Sequence, residues 1–240
     1  MPRSGPKPVR AATAAQRVPP PQHPTAMQLH YHPGNASMAP HLLLQEIGAP
    51  FELKFVDRDR GEHQSPAYLK LNPNGRIPVL VDGELVLYEA AAICLHLADR
   101  FPEARLAPPV GSAERARLYQ WMLWLSNTLQ AMLMHWFYPE RLVDSGDAAA
   151  AAQVRAQAEE QIAKMLQLLD EQVAAAGGAW LLGADFTVAD AYALMLCRWT
   201  RNFDRPAREY PHLGPYLQRL LARPAVQKMF EAEGLQAPLV

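Results

Sequence analysis

Leu71-Asn-Pro-Asn-Gly-Arg-Ile-Pro-Val-Leu-Val-Asp-Gly-Glu-Leu-Val-Leu-Tyr-Glu-Ala90 decides how this chain is built. The Pro, Gly and Asn cluster from Asn72 to Gly75 marks a turn. Ile77 to Val81 then has the character of a short buried strand. Asp82-Gly83 supplies the positive φ of a two-residue hairpin turn, and Leu85 to Leu87 return as the partner strand. Pro78 inside the first strand would only remove a ladder donor. A cis Ile77-Pro78 bond accounts for it better, because it bends the chain and leaves the Ile77 amide and carbonyl facing outward. Such groups can pair with an extended peptide as a strand would. Past the second strand, Glu89 opens an Ala-rich helical run, where N–H groups and the helix dipole favour a carboxylate ligand. A grip for a peptide and a socket for an anion thus lie one hairpin apart.

The rest of the chain gives this element a setting. At 240 residues there is room for one large or two small domains, each with a real core. Half of the residues are hydrophobic and 20% are charged, as in ordinary soluble domains. A formal net charge of −1 gives no reason to expect nucleic acid or a membrane surface as partner. The two cysteines, Cys94 and Cys197, fall in separate predicted helices, which fits a reducing, cytoplasmic compartment and inert core thiols. Residues 1–26 are basic, free of acidic residues and Pro-rich, and cannot bury enough surface to offset their ordering entropy. They are expected to be a disordered, dispensable tail, or to precede a true start at Met27.

Working outward from the hairpin, Leu29 and Tyr31 lead a first strand, and His32 to Asn35 form a turn. Ser37 caps a helix with Pro40 in its first turn and an apolar face of Leu42, Leu43 and Ile47, closed by Gly48. Phe51, Leu53 and Phe55 alternate with Glu52 and Lys54 as a second strand with one buried face. A charged loop, Asp57 to Gln64, leads to Ser65-Pro66 and a short helix through Leu71. The order strand, helix, strand, helix, hairpin, helix is that of a thioredoxin-like α/β layer, with the first two strands parallel neighbours. After the helix Glu89–Arg100, a Pro-rich linker runs from Pro102 to Gly111. The expected units are residues 27–103, the linker 104–111 and an all-helical C-terminal domain, 112–240. In the latter, a long helix from Ser112 to Val143 carries Leu118, Trp121, Leu125, Leu129, Met132 and Trp136 as a core stripe. Ala148 to Ala176 form another long helix, and three more follow through Arg223. Thr187 and Asp190 make a capping box, a stability device rather than chemistry.

The Ile-Pro corner before a hairpin, Glu-Ala opening the next helix, the Tyr31-x-x-Gly34-x-Ala36-Ser37 frame and the Thr187-x-x-Asp190 box, in this order, resemble the glutathione S-transferases over residues 27 to 240. The frame is most similar to the bacterial, beta-like members, but their cysteine position holds Ala36, so mixed-disulfide chemistry on the protein is not available there. The resemblance implies an enzyme that uses glutathione as co-substrate, needs no metal, and adds the thiolate to small, electrophilic, apolar molecules. It also implies a homodimer and a role in detoxification. Glutathione-dependent disulfide or peroxide reduction, and a non-catalytic binding or regulatory role, are the alternatives.

The site residues follow from the same resemblance. Ser37, with Asn35, is the expected donor to the glutathione sulfur, whose thiol pKa of about 8.5 must fall; Tyr31 is a weaker candidate that packs its ring instead. The Ile77-Pro78 corner pairs with the cysteinyl segment, and Glu89 with the Ala90 N–H meets the γ-glutamyl end. His63 and Arg60 are set to hold the glycine carboxylate. Trp124, Asn127, Gln130 and Met134 line the second-substrate pocket, with His135 and Tyr138 one turn further on. Gln130 and Ala131 stand where beta-like relatives carry a histidine and a lysine.

Overall fold

The computed structural model describes residues 26–240, so the expectation for the N-terminal tail lies outside the described residues. Four strands, β1 (Met27–Tyr31), β2 (Phe51–Phe55), β3 (Val79–Asp82) and β4 (Leu85–Tyr88), form one mixed sheet in the order β2-β1-β3-β4. β1 and β2 are parallel neighbours, as the crossover requires, and β3 runs antiparallel to both β1 and β4. α1 (Met38–Ile47) provides that crossover, α2 (Pro66–Leu69) follows β2, and α3 (Ala90–Arg100) follows β4. This is the thioredoxin-like layer.

The hairpin differs from its sequence reading in register. β3 starts at Val79 because Pro78 has no N–H to give the ladder. Asp82 pairs with Leu85, so the two-residue loop is Gly83-Glu84, with the positive φ (62°) on Gly83 alone. The Ile77-Pro78 bond is cis. β2 is an edge strand, so its alternation buries less than expected: Phe55 is 53% exposed and stacks on the His32 ring at 5.7 Å.

The second layer is helical. α4 (Ala113–Trp124) is capped by the Ser112 hydroxyl, which accepts the Arg115 N–H at 3.1 Å. The expected single helix to Val143 is instead α4, a π-helical segment Leu125–Gln130, and α5 (Ala131–Phe137). The buried stripe is accordingly Leu118, Met122, Leu125, Leu129 and Leu133, while Trp121, Met132 and Trp136 are only partly covered. The wider π turns rotate the face beyond Gln130, where a uniform 3.6-residue period places Met132 and Trp136 in the core. α6 (Ala148–Ala175) is the second long helix, capped by Asp147. α7 (Val188–Trp199) is buried along its whole length, α8 spans Leu213–Leu221, and α9 (Pro224–Ala232) lies beyond Arg223, where the sequence reading stopped. Between α7 and α8 there is only a 3-10 turn, Ala207–Glu209.

The Asp190 carboxylate anchors this layer. It accepts from the Thr187 N–H (2.8 Å) and hydroxyl (3.0 Å), the Leu181 N–H (2.8 Å) and the Tyr216 hydroxyl (2.8 Å). Burial pushes its pKa up against those four bonds. Contacts between the layers run through α1 and the turn before it: Glu46 takes a bidentate pair from Arg223, at 2.6 and 2.8 Å, and Trp199 Nε1 donates to the Gly34 carbonyl at 3.0 Å. One core therefore continues from the sheet through α1 into α7 and α9.

Candidate functional site

Strand register brings the sequence motifs to one place. Tyr31 pairs with Phe55, His30 with Val79, and Val79 with Tyr88. The exits of β1, β2 and β4 and the entry to β3 thus share one end of the sheet. From that end emerge the His32–Ser37 corner, the Asp57–Gln64 loop, the Ile77-Pro78 junction and Glu89. Four segments far apart in sequence converge because β1, β2 and β4 all run toward this end and β3 runs away from it.

At the junction, neither the N–H nor the C=O of Ile77 has a hydrogen-bond partner among the described residues. The carbonyl just before it, on Arg76, is fixed by the Tyr68 hydroxyl (2.9 Å) and Asn72 Nδ2 (2.7 Å), while the Arg76 side chain stays exposed. Ile77 packs its side chain with Val56, Tyr68 and Val79, so its backbone edge is presented by a held residue.

Glu89 stands at the N-cap of α3 with φ 71° and ψ 111°. A non-glycine residue in that sparsely populated region costs about 1–3 kcal/mol. Its carboxylate is exposed and makes no hydrogen bond or ion pair among the described residues, whereas Ala90 is buried. The Glu89 charge helps raise the pKa of the buried Tyr192 phenol, after burial itself and Cys94. Tyr192 donates to Gln130 Oε1, so α7 lies between the head of α3 and the π segment and contacts both. Gln130 is therefore held from behind.

At the His32–Ser37 corner the expected helix cap is not made. The Ser37 hydroxyl does not cap α1; it donates to the His32 carbonyl (3.1 Å) and accepts the His32 N–H (3.3 Å), and the residue is fully buried. Its backbone is already helical (φ −65°, ψ −18°), which turns Oγ back across the corner rather than over the first N–H groups. Asn35, like His32, is partly exposed. Its Oδ1 accepts the Ala36 N–H at 2.6 Å, which leaves Nδ2 without a partner among the described residues. Tyr31 packs edge-on against His41 and Phe55, and burial followed by the nearby Glu233 charge raises its pKa. We expect Ser37→Ala to cost about 1 kcal/mol of stability in urea unfolding, with the larger effect there rather than in turnover.

The loop residues divide. Arg60 is 88% exposed and only loosely paired to Asp57 at 3.4 Å, while His63 sits in a 3-10 turn with a buried Nδ1 that has no partner among the described residues. Arg58, which the sequence did not single out, donates to the Tyr138 hydroxyl and ties this loop to the end of α5; Arg141 stacks on the other side of that ring at 3.9 Å. Of the expected pocket residues, Gln130 and Met134 are partly buried and Asn127 is exposed, in line with Tyr138 along the helix; Trp124 packs edge-on against Trp121 at 5.1 Å. Trp199, nearest to the corner by its bond to Gly34, and Phe137 against it (6.1 Å) form an aromatic wall that spacing did not reveal. His135 stays partly buried on α5.

Cys94 and Cys197 are fully buried, and burial raises both thiols, Cys197 to about 12. Neither should react with an aromatic disulfide reagent in the native protein, and both should react in denaturant; a fast native thiol in that assay counts against this placement. No group of three or more His, Cys, Asp or Glu side chains is placed to hold a metal ion among the described residues.

Residues 26–99 match the family described as the N-terminal domain of glutathione S-transferase, and residues 129–224 match its C-terminal domain. The chain is 32% identical over 213 residues to glutathione S-transferase GstA of Escherichia coli O157:H7, covering 88% of this chain and 100% of that protein. A sphingomonad glutathione S-transferase solved in complex with glutathione is 33% identical, with a TM-score of 0.75, covering 87% of this chain and 100% of its own. A glutathione transferase homologue from Sulfitobacter with bound glutathione superposes with a TM-score of 0.79 at 25% identity, over 88% of this chain and 99% of its own.

Proposed function

Since the chain belongs to the glutathione S-transferase family, we propose that it binds glutathione at the convergent end of its sheet and adds the thiolate to small, apolar electrophiles. The observation that carries this reading is the pairing of an unsatisfied Ile77 backbone with an unpartnered, strained Glu89 at the same end of the sheet. An unsatisfied strand edge calls for an extended peptide, and a free carboxylate beside it for an ammonium. A γ-glutamyl tripeptide offers both.

In this reading Ile77 pairs with the cysteinyl backbone beside Pro78, and Glu89 with the Ala90 N–H receives the γ-glutamyl group. His63 and Arg60, joined by the exposed Arg76, face the glycine carboxylate. Asn35 Nδ2, near the positive end of α1, donates to the sulfur. With Ala36 in place of a cysteine, the site resembles a beta-like corner that has lost its protein thiol, which favours conjugation over reduction. Asn127, Gln130, Met134 and Trp124 line the second-substrate side, completed by Phe137 and Tyr138. The enzyme is assigned no metal, a cytoplasmic location and a detoxifying role.

A homodimer completes the reading. β4 is an edge strand whose Leu85 and Val86 are 42% and 40% exposed, and Leu123 on α4 is 58% exposed. Apolar edges of this kind are normally covered.

Retention on a glutathione-affinity column together with turnover of an aryl halide tests the function. Retention with disulfide reduction and no conjugation would favour the reductase, and absence of retention would overturn the reading.

A further inference from the structure

The Gly34 peptide units are gripped from the far end of the chain. Glu233, just beyond α9, is buried, and its two carboxylate oxygens are divided. Oε1 meets His41 Nδ1 at 2.8 Å, and Oε2 accepts the Gly34 N–H at 2.8 Å. On the other side of the same residue, the Gly34 carbonyl accepts from Trp199 Nε1 at 3.0 Å. Gly34 has φ 71°, a conformation that side chains rarely adopt, and the next residue is Asn35. Both peptide planes flanking the turn are thus fixed by C-terminal-domain side chains, immediately before the amide that faces the thiol site.

A buried carboxylate is an expensive way to hold a turn. Its desolvation costs several kcal/mol, and an apolar residue of similar volume would pack as well. What the carboxylate adds is direction, because a charge-assisted bond fixes the Gly34 N–H within a narrow angular range. The segment carrying Glu233 is itself clamped: Arg198 donates to the carbonyls of Pro238 (3.2 Å) and Leu239 (2.5 Å), and Arg208 to that of Val240 (2.7 Å). The charged or titratable groups facing Glu233 are His41 on α1, Tyr31 on β1 and Arg198 on α7.

We propose that Glu233, together with Trp199, is a positioning residue for the thiol-activating corner, so that the C-terminal end of the chain sets how well Asn35 stabilises the glutathione thiolate. This rests on the transferase reading above. Glu233 touches no substrate in this account; it acts through Gly34.

The test is the titration of the bound thiol. Thiolate absorbance of the glutathione complex is followed against pH for the parent, Glu233→Gln and Trp199→Phe, alongside kcat and KM. Both variants are expected to raise the thiol pKa by about 0.7 unit and to lower kcat about fivefold at neutral pH. The glutathione KM should stay within about twofold, and kcat should recover at a pH above the shifted pKa. A structural role alone would lower activity at every pH and leave the thiol pKa in place, which would overturn the proposal, as would unchanged kinetics in a folded variant. If Glu233→Gln does not fold, Trp199→Phe carries the test by itself. Failure of the parent to form any thiolate would instead overturn the transferase reading, so the two failures are distinguishable.

Discussion

Replacing Glu89 with alanine should weaken glutathione binding at least tenfold, a loss of about 1.4 kcal/mol. The carboxylate is exposed, has no partner among the described residues, and sits at the head of α3 with φ 71°. It contributes no hydrogen bond to the fold, so its removal leaves no buried group unsatisfied. Its value lies in meeting the ligand's ammonium, and hydrogen bonds between charged groups contribute about 1.5–3 kcal/mol. Glu89→Gln should fall between the two proteins, because it keeps the acceptor and loses the charge. Glu89→Gly separates binding from backbone strain: it should lose affinity like alanine while gaining stability, since glycine adopts positive φ without penalty. Calorimetry on the three variants reads both quantities. An affinity equal to the parent's in Glu89→Ala would remove Glu89 from the site.

The same residue shows how much could be read before the structure. Glu89 and Ile77 were legible because each belongs to a local signal: a helix start and a proline that cannot serve a ladder. The element order, the parallel pairing of β1 with β2 and the thioredoxin-like layer followed from the alternation in β2, the crossover rule and the hairpin's own turn residues. What escaped was of two kinds. Side-chain direction at a helix start was one; Ser37 has the residue type of a cap, but its backbone is helical, so the hydroxyl serves His32 instead. Long-range partners were the other. Gly34 is joined to Trp199 and Glu233, 165 and 199 residues away, and no local pattern carries such a pairing. The π segment Leu125–Gln130 was a further source, because a stripe projected at uniform pitch misplaced Met132 and Trp136 beyond it.

That reassignment of the corner makes Asn35→Ala the sharper chemical test. We expect kcat/KM to fall about thirtyfold, close to 2 kcal/mol, while the glutathione KM changes little. Three backbone donors of the corner are already engaged. The Gly34 N–H is bound to Glu233, the Asn35 N–H to the His32 carbonyl at 3.1 Å, and the Ala36 N–H to Asn35 Oδ1. The Asn35 side-chain amide is a partly exposed donor there with no partner among the described residues. A thiol of pKa about 8.5 is mostly protonated at neutral pH, so loss of one donor to the thiolate lowers the reactive fraction directly. The sign gives a control. Thiolate stabilisation matters below the thiol pKa, so the deficit of Asn35→Ala should shrink as pH rises through it. Asn35→Asp should be worse than alanine, because a carboxylate beside the sulfur opposes a second negative charge. Ser37→Ala, by contrast, should keep turnover near the parent's while losing stability. If Ser37→Ala lowers kcat more than Asn35→Ala, the hydroxyl reaches the sulfur after all and the donor assignment reverses.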